Sequence, residues 1–192
     1  MSRLADLVFF RNHRVCPRWM CFTFDNGLRR FVQNPDHIIK PYIREGDVVL
    51  DVGPGIGYFT IPMARLVGDR GRVIAADLQE SMLQGIAKRA LRAGLEDRII
   101  LRRSSAESLN VGGAMDFALA FWMAHEVPDL KNFMDQLFDV LIEGGRLLVV
   151  EPRVHVSQKQ FQKEIDIARS AGFVLIDQPS ISLSLSALFS RS

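Results

Sequence analysis

One short segment, residues 48–60, constrains the fold of this chain more than any other. It reads VVLDVGPGIGYFT, with an apolar run at 48–50 and glycines at every second position from Gly53 to Gly57. The apolar run is typical of a buried parallel strand, and the apolar residues that follow Thr60 predict a helix. Glycine has no Cβ and adopts positive φ, so this unit brings bare backbone and a helix N-terminus close to a ligand.

The glycine spacing and two carboxylates indicate which ligand the turn holds. The pattern is G-x-G-x-G instead of the G-x-G-x-x-G of dinucleotide sites, and Asp51 lies two residues before Gly53. A carboxylate at a strand tip repels a pyrophosphate and suits a cation. Asp77 ends a second apolar run, VIAAD, where an acid is placed to bind ribose hydroxyls. S-adenosylmethionine fits both features, because it carries a ribose, a sulfonium and an ammonium group.

The same residues carry a family resemblance. VLDVGPGIG resembles the first motif of class I S-adenosylmethionine-dependent methyltransferases, and VIAADLQ resembles the second. The order of later elements also matches, from about residue 36 to the C-terminus. The resemblance implies a cofactor site with Asp51, Gly53, Gly55 and Gly57 around the methionine part, Asp77 on the ribose and Leu78 on the adenine face.

The sequence departs from the family pattern at the expected adenine contact. Related enzymes have an acidic residue followed by alanine after the third strand. Here the matching run is Ser105-Ala106-Glu107, so the resemblance assigns the adenine contact to Ser105 and Ala106. A serine hydroxyl replaces the usual carboxylate and can still form a hydrogen bond.

Alternating strand and helix patterns predict a doubly wound α/β sheet. The predicted strands cover 48–50, 72–77, 98–101, 116–121, 146–150, 173–176 and 181–189, and the main helices cover 79–93, 128–142 (ended by Gly144-Gly145) and 157–171. The resemblance implies a Rossmann-like seven-stranded sheet of order 3-2-1-4-5-7-6 with strand 7 antiparallel. Alternation of Ile181, Leu183 and Leu185 with serines suits an antiparallel strand at or near a sheet edge.

The loops after strands four and five contain the residues expected at the methyl acceptor. Ligands in such sheets bind at the carboxyl ends of the strands. The first loop offers Phe121, expected to pack on the cofactor, and His125; the second region offers Glu151 and His155. We predict that His125, Glu151 and His155 are catalytic, since a His/Glu set can orient an acceptor, take its proton or bind a metal. The alternative is that they cap a helix or line the rim.

The N-terminal region is interpreted as a separate layer. Residues 1–34 are expected to form a helical cap or lid over the acceptor, and residues 35–192 the cofactor-binding domain. Residues 1–44 contain eight Arg or Lys and three Asp, a net +5, which leaves −3 for the remainder of a chain of net charge +2. A basic segment attracts an anionic substrate, a nucleic acid or a membrane surface, or is simply solvated.

Other sequence patterns bear on metal binding, on a signal peptide and on membrane spans. His13, Cys16 and Cys21 form H-x2-C-x4-C, but no fourth ligand is evident, so no metal is expected and the thiols should be reduced. No signal peptide is evident, and no run approaches the roughly 18–20 apolar residues of a membrane span. A cytoplasmic location is therefore expected.

The resulting functional expectation is methyl transfer from S-adenosylmethionine to a small-molecule acceptor by in-line displacement. The core resembles the broad group that includes quinone-biosynthesis C-methyltransferases. A nucleic-acid or protein methyltransferase is one alternative, although loop 121–126 lacks the Pro-Pro-aromatic motif of amino-methylating nucleic-acid enzymes. A non-catalytic S-adenosylmethionine-binding protein is another. The glycine spacing and the lack of a Tyr-x3-Lys pair argue against a nicotinamide oxidoreductase. Assembly as a homodimer stays open.

Overall fold

Seven strands form a single sheet in the computed structural model, which describes residues 32–192. His13, Cys16 and Cys21 lie outside the described residues, and so does nearly all of the predicted lid. The strands are β1 (Val48–Val52), β2 (Arg72–Asp77), β3 (Ile99–Arg103), β4 (Met115–Phe121), β5 (Leu141–Pro152), β6 (Phe173–Asp177) and β7 (Ser184–Arg191). The helices are α1 (Pro35–Ile39), α2 (Thr60–Leu66), α3 (Glu80–Ala93), α4 (Leu130–Val140) and α5 (Gln158–Ser170), with 3-10 turns at Glu96–Arg98 and Ala124–Glu126.

The strand order is β3-β2-β1-β4-β5-β7-β6, which confirms the predicted topology. Strands β1 to β5 pair in parallel, and β7 runs antiparallel to both β5 and β6. Because β1 pairs with β2 on one side and β4 on the other, the chain changes direction across the sheet at this point. The carboxyl end of β1 is therefore the topological switch at which α/β sheets bind ligands.

Both faces of the sheet are covered, so its central strands are buried on both sides. On one face the apolar residues of α1 and α2, such as Ile39 and Met63, pack against Val49 and Phe117. On the other face α4 and α5 pack against alternate strand residues. Helix α5 begins with the predicted capping box, in which Ser157 and Gln160 cap each other's backbone N–H groups. Helix α3 ends at Gly94, whose left-handed φ of 62° is the predicted stop.

The predicted boundary between helix α4 and strand β5 is wrong. Helix α4 ends at Val140, before Gly144 and Gly145, and β5 begins at once with Leu141. The β4–β5 register then shifts, since Met115 pairs with Leu141 but Phe117 pairs with Arg146. The two glycines lie inside this irregularity, where Gly144 has a φ of 76°. They accommodate a strand bulge instead of ending a helix.

The last strand begins later than predicted and is not exposed on either face. It starts at Ser184, after Leu183, which is exposed and has a φ of 62°. Residues 184–189 are all buried, because their side chains pack into the cores on the two faces of the sheet, and β6 pairs with the outer edge of β7. Buried serines are tolerated here through hydrogen bonds, as when Ser186 donates to the carbonyl of Pro179.

Candidate functional site

A large cavity of about 1030 Å³ opens at the carboxyl ends of β1, β2, β4 and β5. This volume lies at the upper end of the roughly 300–1,000 Å³ typical of small-molecule sites. Ten of the twelve predicted site residues line it: Asp51, Gly53, Gly55, Asp77, Leu78, Ser105, Ala106, Phe121, His125 and His155. The other two lie outside its lining. Gly57 faces a smaller groove beside α2, and Glu151 is fully buried and bonded to His125.

The glycine turn presents backbone to this cavity. Gly53 has a φ of 62°, and its N–H donates to the carbonyl of Ala76 at 2.9 Å, which ties the turn to β2. A Cβ at Gly53 would lie 2.9 Å from Cγ of Met123, so the β4 loop packs directly on this glycine. Gly55 has a φ of 56° and open space where a Cβ would be. A ligand can therefore approach the backbone of Gly55 closely.

Asp51 is a buried carboxyl group at the floor of the site. Its Oδ2 accepts a hydrogen bond of 2.6 Å from the hydroxyl of Thr60, the first residue of α2. Burial raises the pKa of Asp51 to about 7, the Thr60 hydrogen bond opposes that rise, and the charge of Asp77 adds to it. A bound cation would compensate both effects and favour the ionised carboxylate.

Asp77 ends β2 on the opposite side of the glycine turn. Its Oδ1 accepts from the backbone N–H of Gln79 at 2.8 Å. Burial raises the pKa of Asp77 to about 6, while hydrogen bonds from the backbone of Gln79 and Gly55 lower it. Asp77 is consequently mostly ionised at neutral pH, and it is available to accept hydrogen bonds from neutral hydroxyl groups.

The third side of the cavity carries the predicted adenine contacts. Leu78 is 41% exposed there, as expected for an apolar face that a ligand would cover. The Ser105 hydroxyl is engaged within its own loop, because it accepts from the N–H of Ser108 at 3.0 Å and lies 3.2 Å from Oε2 of Glu107. Gln136 on α4 holds this loop by donating to the carbonyl of Glu107 at 2.9 Å.

Three aromatic side chains line the cavity and contact one another. The ring of Phe121 lies 4.4 Å from that of Phe59 and 5.5 Å from that of Trp122. Trp122 has a φ of 60°, which is rare and strained for a bulky side chain. Its indole N–H donates to the hydroxyl of Ser184 at 3.0 Å, which fixes the ring on β7.

His125 and Glu151 form a hydrogen-bonded pair at the far end of the cavity. One carboxylate oxygen of Glu151 accepts the backbone N–H of His125 at 3.1 Å, and the other bonds to Nδ1 of the ring. Burial alone would lower the pKa of His125, but the hydrogen bond and charge of Glu151 outweigh it, so the pKa is raised. The ring of His155 stacks on that of His125 at 5.9 Å, at the exposed rim.

Sequence reasoning missed two residues of the site. Thr60, which holds Asp51, follows the glycine turn directly. Glu164 on α5 is buried and lines the same cavity. A signal for Glu164 was present, because it follows the buried Phe161 by three residues and precedes the buried Ala168 by four, a spacing that puts all three on one helix face.

Within residues 32–192, no helix is both long enough and apolar enough to span a membrane. Over the same residues, no group of three or more His, Cys, Asp or Glu side chains is arranged to hold a metal ion.

Comparison with known proteins places these features in a family. A family model described as a methyltransferase domain matches residues 49–145. The chain is 32% identical over 150 residues to the ubiquinone/menaquinone biosynthesis C-methyltransferase UbiE of Enterobacter sp. (strain 638), covering 77% of this chain and 53% of that protein. The same enzyme of Pasteurella multocida (strain Pm70) is 33% identical over 150 residues, covering 77% and 49%. The chain thus spans about half the length of the curated relatives it matches.

A solved structure supports the fold over a longer stretch. A SAM-dependent methyltransferase from Aquifex aeolicus superposes with a TM-score of 0.82 at 20% identity, covering 92% of this chain and 99% of that one. At this identity the likeness is one of fold.

Proposed function

Because this chain belongs to the class I S-adenosylmethionine-dependent methyltransferases, we propose that it transfers a methyl group from that cofactor to a small-molecule acceptor. The acceptor carries an ionisable hydroxyl group or an acidic carbon, which the His125–Glu151 pair holds. The observation that carries the proposal is a single cavity of about 1030 Å³ that joins the glycine turn to this pair. Donor and acceptor can therefore meet without crossing solvent.

The residues of the glycine turn fit the cofactor. The space where a Cβ would be at Gly55 is open, and the two buried carboxyl groups, Asp51 and Asp77, favour a cation over a pyrophosphate. In this proposal Asp51 and the backbone of Gly53 and Gly55 hold the methionine part, and Asp77 binds the ribose hydroxyls. Gly57 supports the turn from outside the cavity, where its N–H donates to the carbonyl of Pro54 at 3.0 Å.

The adenine contacts follow the same cavity wall. Leu78 and Ala106 supply its apolar part, and Phe121 closes the other side. Since the Ser105 hydroxyl is tied to Ser108 and Glu107 within its own loop, the backbone of this loop is the better candidate for polar contacts to the adenine.

In this proposal His125, Glu151 and His155 bind and orient the acceptor. The bound cofactor supplies an electrophilic methyl group on a sulfonium. Glu151 fixes the tautomer and orientation of His125 through Nδ1, which leaves Nε2 as the free ring nitrogen. The raised pKa of His125 lets it keep the acceptor's proton, so that the acceptor reacts as an anion. His155 stacks on the ring and supports its orientation. Holding the two partners in line supplies roughly 7–11 kcal/mol of the barrier.

A small acceptor is favoured over a macromolecule because the acceptor would bind inside the same cavity as the cofactor, where Trp122 and Tyr58 are among the lining residues. The predicted lid over residues 1–34 would add to this enclosure, and substrate choice would reside there.

Titration of the full chain with S-adenosylmethionine, followed by a screen for methyl acceptance, tests the proposal. We expect binding of the cofactor and methylation of at least one small compound that carries an ionisable hydroxyl group or an acidic carbon. His125→Asn should lower kcat by about 10²-fold or more without changing cofactor affinity, whereas Glu143→Gln, at an exposed position on β5, should change neither.

Three outcomes would contradict the proposal. Methyl transfer only to RNA or to a protein would indicate the macromolecular alternative. Tight cofactor binding with no transfer to any acceptor would indicate a non-catalytic binding protein. Preferential binding of NADH would remove the electrostatic basis of the cofactor assignment.

A further inference from the structure

The carboxyl group of Glu164 has no role in the proposed reaction, yet it lines the cavity. Its side chain is on the inward face of α5, and the residue is 8% exposed. Among the side-chain polar atoms of residues 32–192, its Oε2 is the one that is fully buried without a hydrogen-bond partner.

An unpaired buried carboxyl group requires an explanation. A buried polar group without a hydrogen-bond partner destabilises the folded protein, and a leucine of similar length would avoid that cost. The neighbours on the same face of α5, Phe161, Ile165 and Ala168, are all buried and apolar. Glu164 is therefore the single polar member of an apolar helix face, and it lies where that face meets the cavity.

The charges around Glu164 favour its neutral form. Burial raises the pKa of Glu164 to about 8, the charge of Glu151 on β5 adds to this rise, and His125 opposes it. Glu151 is already satisfied by His125, to which both of its oxygens bond. At neutral pH Glu164 is therefore mostly a neutral carboxylic acid, and its Oε2 has no hydrogen-bond partner among residues 32–192.

We propose that Glu164 is an acceptor-binding residue, whose carboxylic acid donates a hydrogen bond to an uncharged oxygen of the methyl acceptor. This inference rests on the proposed function, since it places the acceptor in the same cavity. The acceptor class then has two features. It carries an acidic group that gives its proton to His125, and a carbonyl or similar oxygen that accepts from Glu164. An amine acceptor is disfavoured, because it would need Glu164 ionised beside Glu151.

Two substitutions separate a neutral donor from a carboxylate. Glu164→Gln keeps the size and an N–H donor but cannot ionise, and Glu164→Leu keeps the size and removes the donor. Lys163→Gln, on the exposed face of the same helix, is the matched control. All variants are made in the full chain and are first titrated with S-adenosylhomocysteine. Their affinity for it should stay within about threefold of the wild-type affinity, which is well below a tenfold change.

Crystals of each variant with S-adenosylhomocysteine are soaked with acetone as an uncharged oxygen probe and, separately, with methylammonium as a cationic one. We expect the acetone oxygen within hydrogen-bond distance of residue 164 in the wild type and in Glu164→Gln, and no acetone there in Glu164→Leu. Absence of acetone from the wild-type site, or methylammonium bound to Glu164 in its place, would overturn the inference.

Turnover gives an independent measure with whichever acceptor the screen identifies. Glu164→Leu should raise KM by about tenfold or more, as loss of one hydrogen bond with an unpaired partner predicts, and Glu164→Gln should restore KM to near the wild-type value. If Glu164→Gln is as impaired as Glu164→Leu, the carboxylate itself is required and the inference is wrong. The soaking result needs no turnover, so it distinguishes failure of this inference from failure of the proposed function.

Discussion

Removing one hydroxyl group, in Thr60→Val, should make binding of S-adenosylmethionine strongly pH-dependent. Thr60 is fully buried and donates a hydrogen bond of 2.6 Å to Asp51. Valine has nearly the same shape, so the substitution removes the hydrogen bond and leaves the packing. We expect the carboxylate form of Asp51 to lose the stabilisation, because its protonated form depends less on that donor.

The size of the effect follows from two quantities. A hydrogen bond to a charged group contributes about 1.5–3 kcal/mol, and one pKa unit corresponds to about 1.4 kcal/mol. The pKa of Asp51, about 7 in the intact site, should therefore rise by about one to two units. At pH 7 the ionised fraction would fall from about one half to between about one tenth and one hundredth. If the cofactor binds the carboxylate form, its affinity falls by about 5- to 50-fold.

The assay is calorimetric titration of Thr60→Val and Thr60→Ser at pH 7 and pH 9. Serine keeps the donor, and comparison of two variants at one pH cancels any titration of the cofactor itself. The affinity difference should shrink to about twofold or less at pH 9, where Asp51 is at least about half ionised in both proteins. A difference that does not depend on pH would refute the reasoning, since it would mean that ionisation of Asp51 is not linked to cofactor binding.

Four further outcomes are expected. Asp77→Ala should weaken binding of S-adenosylmethionine by about 10- to 100-fold through lost hydrogen bonds to the ribose, and unchanged calorimetric affinity would remove that assignment. Deletion of residues 1–31 should leave cofactor binding unchanged and abolish turnover. Retained turnover would contradict the prediction that the N-terminal residues form a lid over the acceptor. Gly71→Ala should lower the melting temperature sharply, because its Cβ would lie 2.5 Å from the carbonyl oxygen of Asp47, whereas Gly112→Ala, with open space around it, should not. Glu164→Gln should be more stable than the wild type at pH 8.5 but not at pH 4. The pKa of Glu164 is raised to about 8 in the folded protein, so the wild type loses stability as pH rises between about 4.5 and 8. Equal melting curves of the two proteins at both pH values would show that Glu164 is not protonated in the fold.

The sequence was sufficient for the features that depend on local pattern. The alternation of strands and helices, the glycine turn and the cap at Ser157 all follow from residue type and spacing, and the structure has each of them. The order of the strands came from the family resemblance, because pairing between distant strands leaves little trace in one sequence. The cofactor residues stay a prediction: the glycine turn follows from local spacing, whereas the roles of Leu78, Ser105 and Ala106 came from the family resemblance.

The contacts of the residues predicted at the acceptor could not be derived from the sequence, because they join separate segments. His125 and Glu151 are 26 positions apart, and Glu164 comes from a third element. Their hydrogen bonds and burial depend on how α5 packs against β5, which spacing alone does not give. The misplaced end of α4 has a similar cause, because the bulge at Gly144 compensates for the register of β4 and not for any local preference.

The contact of Met123 with Gly53 couples the packing of the loop after β4 to that of the glycine turn. Because a Cβ at position 53 would lie only 2.9 Å from Met123, a larger residue at position 53 requires Met123 to move. Replacing Met123 with a smaller residue to admit a larger acceptor would also remove the side chain that packs against the glycine turn at Gly53. New acceptor specificity in this scaffold is therefore best sought on the opposite wall of the cavity, and positions 53 and 123 should be varied only as a pair.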